Sequence, residues 1–364
     1  MASDDPQVTE PEKDDDLPDP DRVPIRDRKV ITQPYDVSVK SVVDQIREKT
    51  IYLRPLSDRP SFQRKYVWTD VLASRLIESI LLNVPIPPVY LSQNDEFELD
   101  VIDGQQRIYS LFRFINNEFV IKGLEVLEEL NGKRFFELPA RHQRQIETHT
   151  LRCVLVTNES HPEIKFEVFE RLNTNTAPLN AQELRNCVYR GRLNEILKDC
   201  VENASWRKIV GTKTPNKRMR EEEVALRYYA FQREGLGSYR TPLKRWLNDA
   251  ARKGRELTDE DVDTLRKSWD DSLSKSLRWF PHGEVFRRPG SRAINKALFD
   301  LMMNYARSVP TLAQADEIRA DFRVRFNELL ADAEFDDLIS RAVDHTTRTK
   351  RRFALWEEKF SDLI

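Results

Sequence analysis

An alternating segment that runs directly into an Asp-Gly turn constrains the fold of this chain more than any other feature. Residues 97–102 alternate in the manner of a strand, and residues 103–107 read Asp-Gly-Gln-Gln-Arg. The apolar residues that follow fall on one face of a helix: Ile108, Leu111, Phe112 and Ile115. The pattern therefore predicts a strand that passes into a helix beginning at about Gly104.

A junction of this kind is suited to binding phosphate. The first turn of a helix presents N–H groups without helical partners and the positive end of the helix dipole. Gly104 allows close approach to the backbone, and Arg107 adds a permanent cation with forked donors. Asp103 is an acid that can hold a metal ion or position water. The alternative is a plain turn in which Asp103 and Arg107 only pair with each other, and the motif alone leaves both open.

Further motifs occur in a fixed order around this turn. They are Arg-Pro-Ser-Phe-Gln-Arg-Lys-Tyr-Val-Trp at 59–68, Asn-Val-Pro-Ile-Pro-Pro-Val-Tyr-Leu at 83–91, Arg-Leu-Asn-Thr-Asn at 171–175 and Pro-Leu-Asn-Ala-Gln-Glu-Leu-Arg at 178–185. From about residue 51 to residue 186 the chain resembles the DGQQR family of the ParB/sulfiredoxin-like superfamily. That family provides the N-terminal domain of GmrSD-type, modification-dependent (type IV) restriction enzymes and of related phage-defence proteins.

The resemblance implies a compact α/β domain that binds and hydrolyses an NTP. It implies that Gly104, Gln105, Gln106 and Arg107 hold the phosphates. Asp103 and Arg107 are then the expected catalytic residues, and Asp103 is the candidate Mg²⁺ ligand.

Two other motifs supply further candidate ligand residues. Gln63 and Arg64 offer donors to phosphate or ribose, while Tyr66 and Trp68 are candidates for stacking on a base, with a place in the core as the alternative. The resemblance favours Asn173 as a site residue, and its alternative role is to cap the C-terminus of a helix.

The sequence pattern divides the chain into three parts. Residues 1–30 are rich in Asp, Glu and Pro, which predicts a disordered acidic tail. Residues 31–187 are predicted to form a nucleotide-binding α/β domain with a ParB/sulfiredoxin-like small mixed sheet and helices. After about residue 187 strand signals almost vanish, so residues 188–364 are predicted to form a mostly α-helical domain.

Composition indicates a cytoplasmic protein with no membrane association. Charged residues make up 33% of the 364 residues, the mean hydropathy is -0.63, and no apolar run approaches the roughly 20 residues of a spanning helix. The three cysteines lack Cys-x-x-Cys spacing and are expected to be reduced thiols. The five histidines are scattered, so no structural zinc site is expected.

Basic residues cluster at two places despite a net charge of -2. One cluster contains Lys217, Arg218 and Arg220, and the other spans 348–352 and contains Arg351. Such clusters are either solvated faces or electrostatic contacts to nucleic acid, which makes DNA a candidate partner.

The second half of the chain departs from the restriction-enzyme pattern. Those enzymes carry a His-Asn-His nuclease domain, for which the C-terminal half offers only His282 and His345. We therefore expect the chain to lack its own nuclease and to act with a separate nuclease or effector subunit, or as an oligomer.

Three functions remain open at this point. The first is an NTP-hydrolysing switch of a defence or DNA-associated system. The second is a nucleotide sensor or protein-interaction module without turnover. The third is a ParB-like, metal-dependent DNA nuclease that uses Asp103 with another carboxylate.

Overall fold

The computed structural model describes residues 29–53, 66, 68–172, 180–216, 218–240, 242–341 and 343–364. They belong to two compact units, an N-terminal unit within Val23–Leu179 and a C-terminal unit that contains Asn180–Ile364. The predicted acidic tail lies, apart from its last two residues, outside the described residues.

The N-terminal unit is built on a small mixed sheet. The strands are β1 (Thr32–Pro34), β2 (Val37–Ser38), β3 (Ile51–Tyr52), β4 (Val89–Gln93), β5 (Leu99–Asp103), β6 (Thr150–Leu151) and β7 (Cys153–Val156). Five of them form one sheet in the order β1-β7-β4-β5-β3, while β2 pairs with β6. The β4–β5 and β1–β7 pairs are antiparallel, and the β4–β7 and β3–β5 pairs are parallel. The predicted mixed sheet is confirmed.

Five helices accompany the sheet within the described part of this unit. They are α1 (Val39–Arg47), α2 (Asp70–Leu81), α3 (Gln105–Ile115), α4 (Ala140–Thr148) and α5 (Pro162–Leu172). Thr69 caps α2 as expected, because its side chain accepts from the Leu72 backbone N–H. Periodicity alone would start α1 at Val37, yet the Ser38 side chain caps it by accepting from Ser41, and Val37 pairs with Leu151 instead.

The core of the N-terminal unit lies on one face of the sheet. Alternate residues of the central strands point into it, since successive side chains of a strand face opposite sides. The buried strand residues are Val89, Leu91, Leu99, Val101 and Leu155, and they cluster with Val43, Ile77, Ile80, Ile108, Leu111 and Ile146 from α1 to α4. The helix α3 is thereby fixed against the sheet directly after the end of β5.

The C-terminal unit is mostly helical, as predicted. Its helices are α6 (Ala181–Val188), α7 (Arg192–Glu202), α8 (Ala204–Val210), α9 (Arg220–Glu234), α10 (Leu243–Lys253), α11 (Asp259–Trp279), α12 (Lys296–Ser308), α13 (Leu312–Glu317), α14 (Arg319–Ala331), α15 (Ala333–Ser340) and α16 (Thr346–Phe360). None of the described helices of the chain combines the length and the apolar composition needed to cross a membrane.

Charged side chains are built into the core of the C-terminal unit. Arg227 and Asp300 are both 0% exposed, and the Arg227 Nη2 lies 2.6 Å from the Asp300 Oδ2. Arg227 also contacts Asp344, with 3.0 Å between Nη1 and Oδ1. Arg352 of α16 is buried beside the same carboxylate of Asp300, with 3.7 Å between Nη2 and Oδ2. These ion pairs connect α9, α12 and α16 inside the unit.

Candidate functional site

The strand-to-helix turn predicted at Asp103 is present. The strand β5 ends at Asp103, α3 begins at Gln105, and Gly104 between them adopts a left-handed conformation with φ of 94°. The Ile108 N–H donates to the Gly104 carbonyl at 3.0 Å and closes the first turn of the helix. Glycine has no Cβ, so it adopts this conformation without the strain that other residues meet.

Packing around Gly104 also requires glycine. A Cβ at this position would lie 2.8 Å from the Cγ2 of Val89 and 3.2 Å from the Nη2 of Arg107. Real side chains do not approach that closely to a buried methyl group. The absent side chain therefore lets the start of α3 pack against β4.

Asp103 and Arg107 form an ion pair across the turn. Their side chains are 19% and 12% exposed, and the Arg107 Nη2 donates to the Asp103 Oδ2 at 2.9 Å. Burial lowers the pKa of Arg107, and the neighbouring Asp103 carboxylate opposes that shift. The Asp103–Arg107 ion pair, which the sequence analysis gave as the alternative to a ligand site, is thus present in this structure.

Arg107 also holds the loop that precedes β4. Its Nη1 donates to the Pro87 carbonyl, and its Nη2 donates to the Pro88 carbonyl at 3.3 Å. Three of its five N–H donors are therefore used by described residues. The Nε–H and one N–H on Nη1 have no partner within the described part of the chain.

The N-terminus of α3 carries no side-chain cap. Gln105, Gln106 and Arg107 form the first turn of α3. In a first turn the backbone N–H groups point out of the N-terminus, which is the positive end of the helix dipole. The structure therefore places the guanidinium group of Arg107 at the start of α3, where Gly104 has no side chain that could cap the helix. An anion is the natural ligand of that combination.

The described residues of the 59–68 motif lie along α3. The Trp68 N–H donates to the Gln106 Oε1 at 3.3 Å, and the Tyr66 hydroxyl lies 2.8 Å from the Ser110 Oγ. Trp68 also packs against the core cluster, which supports its structural alternative. The Tyr66 ring meets Tyr109 edge to face, with 4.8 Å between the ring centroids. The motif at 59–68 and the turn at 103–107 are therefore in contact through Trp68 and Gln106, as residues that bind one ligand together must be.

Several predicted site residues lie outside the described residues. These are Gln63, Arg64 and Asn173 of the nucleotide site and Lys217 of the first basic cluster. Their roles stay predictions.

The predicted nucleic-acid contacts of the C-terminal unit are mostly engaged within the protein. Arg218 lies 3.1 Å from the Glu183 carboxylate, measured from Nη2 to Oε2. Arg351 pairs with Glu334, with 2.7 Å between Nε and Oε1, and this hydrogen bond lowers the pKa of Glu334. Arg220 is exposed. The second basic cluster is therefore largely neutralised by its own surroundings.

The donors around Asp103 decide whether a metal ion can bind there. Among the described residues, no group of three or more His, Cys, Asp or Glu side chains is arranged to hold a metal ion. Mg²⁺ is usually held by one or two carboxylates together with substrate phosphates and water. A single carboxylate such as Asp103 beside bound phosphates fits that type of site.

A comparison with protein families agrees with this geometry. The family described as GmrSD restriction endonuclease, N-terminal domain, matches residues 39–190. Residues 39–190 are therefore similar to the GmrSD N-terminal family. The resemblance read from the sequence motifs is therefore confirmed for this part of the chain. Comparisons with curated proteins and with solved structures gave no significant match.

Sequence reasoning missed the backbone partners of the site in the GmrSD N-terminal domain. The carbonyls of Pro87 and Pro88 position Arg107, and Val89 fills the space beside Gly104. The sequence carried a signal for them, since these three residues lie in the motif at 83–91. Two adjacent prolines supply carbonyl acceptors without backbone N–H groups of their own.

Proposed function

We propose that the GmrSD N-terminal domain of this chain binds a nucleoside triphosphate, with its phosphates at the start of α3, and hydrolyses it within a restriction-associated phage-defence system. One observation carries the proposal: Pro87, Pro88 and Asp103 hold Arg107 at the start of α3, and within the described residues its Nε–H and one Nη1 N–H make no hydrogen bond.

Binding would use groups that already have fixed positions. The carbonyls of Pro87 and Pro88 restrict the rotamers of Arg107, so little side-chain entropy is lost when the guanidinium donates to a phosphate oxygen. Charge-assisted hydrogen bonds of this kind are short and strong. The Asp103 carboxylate repels phosphate at the same place, and Mg²⁺ bound with the nucleotide would offset that repulsion.

Hydrolysis assigns a second role to Asp103. A carboxylate beside the terminal phosphate accepts a hydrogen bond from the attacking water and orients it, while Arg107 stabilises charge that develops on the phosphate oxygens. Asp103 exchanges part of its ion pair with Arg107 for these contacts. In this scheme Asp103 positions the attacking water and Arg107 stabilises the charge on the phosphate.

The proposal is tested by measuring NTP binding to the purified chain and the release of phosphate from the bound NTP. Each common NTP is titrated calorimetrically with Mg²⁺, and phosphate release is followed with and without DNA. We expect Asp103→Asn to retain NTP binding and to lower turnover by about a hundredfold or more, the usual range for losing a positioned base. Asp44→Asn, which removes an exposed carboxylate on α1 that pairs with Arg47, is the matched control and should change neither quantity.

Three results would alter the proposal. Absence of binding of any NTP overturns it. Metal-dependent DNA cleavage by the chain alone, lost in Asp103→Asn, replaces NTP hydrolysis by the ParB-like nuclease reaction. Phosphate release that persists in EDTA removes Mg²⁺ from the account.

A nucleotide sensor without turnover is the second candidate function. It is favoured by the Asp103–Arg107 ion pair, because a carboxylate engaged by an arginine is less available to orient water. NTP binding with no phosphate release by the wild-type chain, with or without DNA, selects this candidate. In either case the DNA-cutting step of the system would belong to a separate nuclease or effector subunit.

A further inference from the structure

Three arginines of the N-terminal unit stand apart from its other surface arginines. Arg141, Arg144 and Arg152 are exposed. Their side chains form no ion pair or hydrogen bond within the described residues. Other exposed arginines of the unit do make side-chain contacts: Arg47 pairs with Asp44 at 3.1 Å, Arg75 pairs with Glu125 at 3.0 Å, and Arg134 donates to the Asn117 carbonyl.

Two of these arginines share one face of α4. Arg141 and Arg144 are three residues apart, which places them on the same side of a helix. Thr148 continues the exposed face, whereas Ile146 on the opposite side is 0% exposed. Glu147 lies three residues after Arg144 and so on the same side of the helix, but it is half-buried, and two exposed arginines stand against this one carboxylate. Positive charge therefore dominates the outer face of α4.

A single exposed loop connects this face with Arg152. The Gln145 Nε2 on α4 donates to the Leu81 carbonyl at 2.8 Å, so α4 lies beside the start of the loop 82–88. The Val89 N–H donates to the Arg152 carbonyl at 2.9 Å, so Arg152 lies at the end of that loop. We name Arg141, Arg144, the loop 82–88 and Arg152 together the arginine strip.

The loop within the arginine strip is apolar and exposed. Leu82 is 40% exposed and Val84 is 47% exposed, and prolines at 85, 87 and 88 make the loop stiff. A stiff apolar ridge between cations suits a ligand that has regularly spaced anionic groups and apolar surface between them. The sugar-phosphate backbone of a nucleic acid has both.

We infer that the arginine strip binds the phosphate backbone of duplex DNA. Within the described residues the three guanidinium groups pair with no carboxylate, so phosphate contacts there add charge neutralisation without breaking an ion pair. Arg218 and Arg351 of the C-terminal unit would each have to give up a carboxylate partner first. The choice of DNA as the polyanion rests on the proposed restriction-associated function. Binding of NTP at Asp103 and Arg107 is a separate event.

The test is the salt dependence of DNA binding. Anisotropy of a labelled mixed-sequence duplex is titrated with the full chain between about 50 and 200 mM salt. The variant Arg141→Ser, Arg144→Ser, Arg152→Ser removes three exposed cations. Each lost phosphate contact lowers the slope of log affinity against log salt by about 0.9, so we expect a decrease of about 2 to 3.

The matched control removes three cations elsewhere on the same unit, namely Lys40→Ser, Arg47→Ser and Arg75→Ser. It has the same change in net charge, so its slope should stay near that of the wild type. Circular dichroism melts verify that both triple variants fold. Equal loss of slope in both would show that only net charge matters and would overturn the inference, as would a wild-type chain that does not bind the duplex at low salt.

Calorimetric NTP titration of the same variants separates this inference from the proposed function. The arginine-strip variant should bind NTP as the wild type does. A wild-type chain that binds NTP but not the duplex rejects the arginine strip and leaves the proposed function intact. Loss of NTP binding in the arginine-strip variant would contradict its separation from the site at Asp103 and Arg107.

Discussion

Arg107 at the start of α3 donates a hydrogen bond to the carbonyl of Pro87, twenty residues earlier in the chain. This contact joins the first turn of the helix to the loop before β4. The same guanidinium reaches Pro88 and Asp103. Arg107 thus holds the loop before β4 against the start of α3 and is also a candidate ligand residue. Its substitution should affect both the stability of the unit and nucleotide binding.

Arg107→Lys is the variant that separates these two roles. Lysine keeps the charge but cannot reach two carbonyls and a carboxylate together, because its three N–H donors radiate from one atom. We expect the N-terminal unit to lose about 1–3 kcal/mol of stability and NTP affinity to fall at least tenfold, about 1.4 kcal/mol. Calorimetric titration and denaturant unfolding measure these quantities.

Arg75→Lys is the matched control for this prediction. Arg75 is exposed on α2 and makes a single ion pair with Glu125, so both stability and NTP affinity should be unchanged. An Arg107→Lys chain that is less stable but binds NTP with wild-type affinity would limit Arg107 to the structural role and move the phosphate site elsewhere.

Gly104→Ala should destabilise the N-terminal unit through two separable effects. Alanine at a φ of 94° costs roughly 1–2 kcal/mol of backbone strain, and its Cβ would clash with the Cγ2 of Val89. Gly132→Ala isolates the first effect, since Gly132 has a φ of 84° and no atom within 4 Å of an added Cβ. Urea unfolding should therefore show a larger loss at Gly104 than at Gly132.

A Val89→Ala background tests the steric part directly. Removing the methyl groups that face Gly104 leaves room for the new Cβ, so Gly104→Ala should cost less in this background than in the wild type. The double-mutant cycle gives the coupling energy between the two positions. Equal costs in both backgrounds would show that packing against Val89 does not constrain the turn.

The turn at Asp103 was predictable because its signals are local. An alternating segment, a glycine and a helical apolar pattern occupy adjacent positions, and local sequence determines such a junction. The sheet order was not predictable in the same way. The pairing of β4 with β7 joins residues more than sixty positions apart, and no periodicity states which strands are neighbours.

Helix boundaries were the second feature that the sequence did not predict, because side-chain caps decide where a helix begins. The pattern at 292–306 predicts one helix, but α12 begins at Lys296 because the Asn295 side chain accepts from the Leu298 N–H. The segment 313–331 likewise reads as one helix and forms two, α13 and α14. Apolar spacing predicts that a helix exists, whereas hydrogen bonds of individual polar residues decide where it starts.

The buried ion pairs of the C-terminal unit also could not be predicted from the sequence. Arg227, Asp300 and Arg352 occur in separate helices, and each alone reads as a surface residue. Asp300→Ala should cost about 3–5 kcal/mol, because buried Arg352 loses its carboxylate partner and buried Arg227 keeps only Asp344. Asp199→Ala is the control, since Asp199 pairs with Arg266 at the surface and should cost at most about 1 kcal/mol. Similar unfolding midpoints for both variants would contradict this account.

Glu223 on α9 should make the C-terminal unit sensitive to acid. Burial alone would raise the pKa of Glu223, but Lys296, Arg185 and Arg227 outweigh it and lower the pKa from 4.5 to about 2. Because the folded-state pKa lies below the unfolded one, the ionised carboxylate stabilises the fold fully above about pH 4.5. That contribution is lost progressively as the pH falls towards 2.

Glu223→Gln tests this dependence on pH. The glutamine variant lacks the titrating group, so its free energy of unfolding should be lower than that of the wild type near neutral pH, and the difference should shrink between pH 4.5 and 2. Glu195→Gln on α7, an exposed glutamate without an ion pair in the described part of the unit, should leave the pH profile unchanged. Denaturant unfolding at a series of pH values measures both. A difference between wild type and Glu223→Gln that stays constant down to pH 2 would mean that hydrogen bonding and not charge accounts for the contribution of Glu223 to stability.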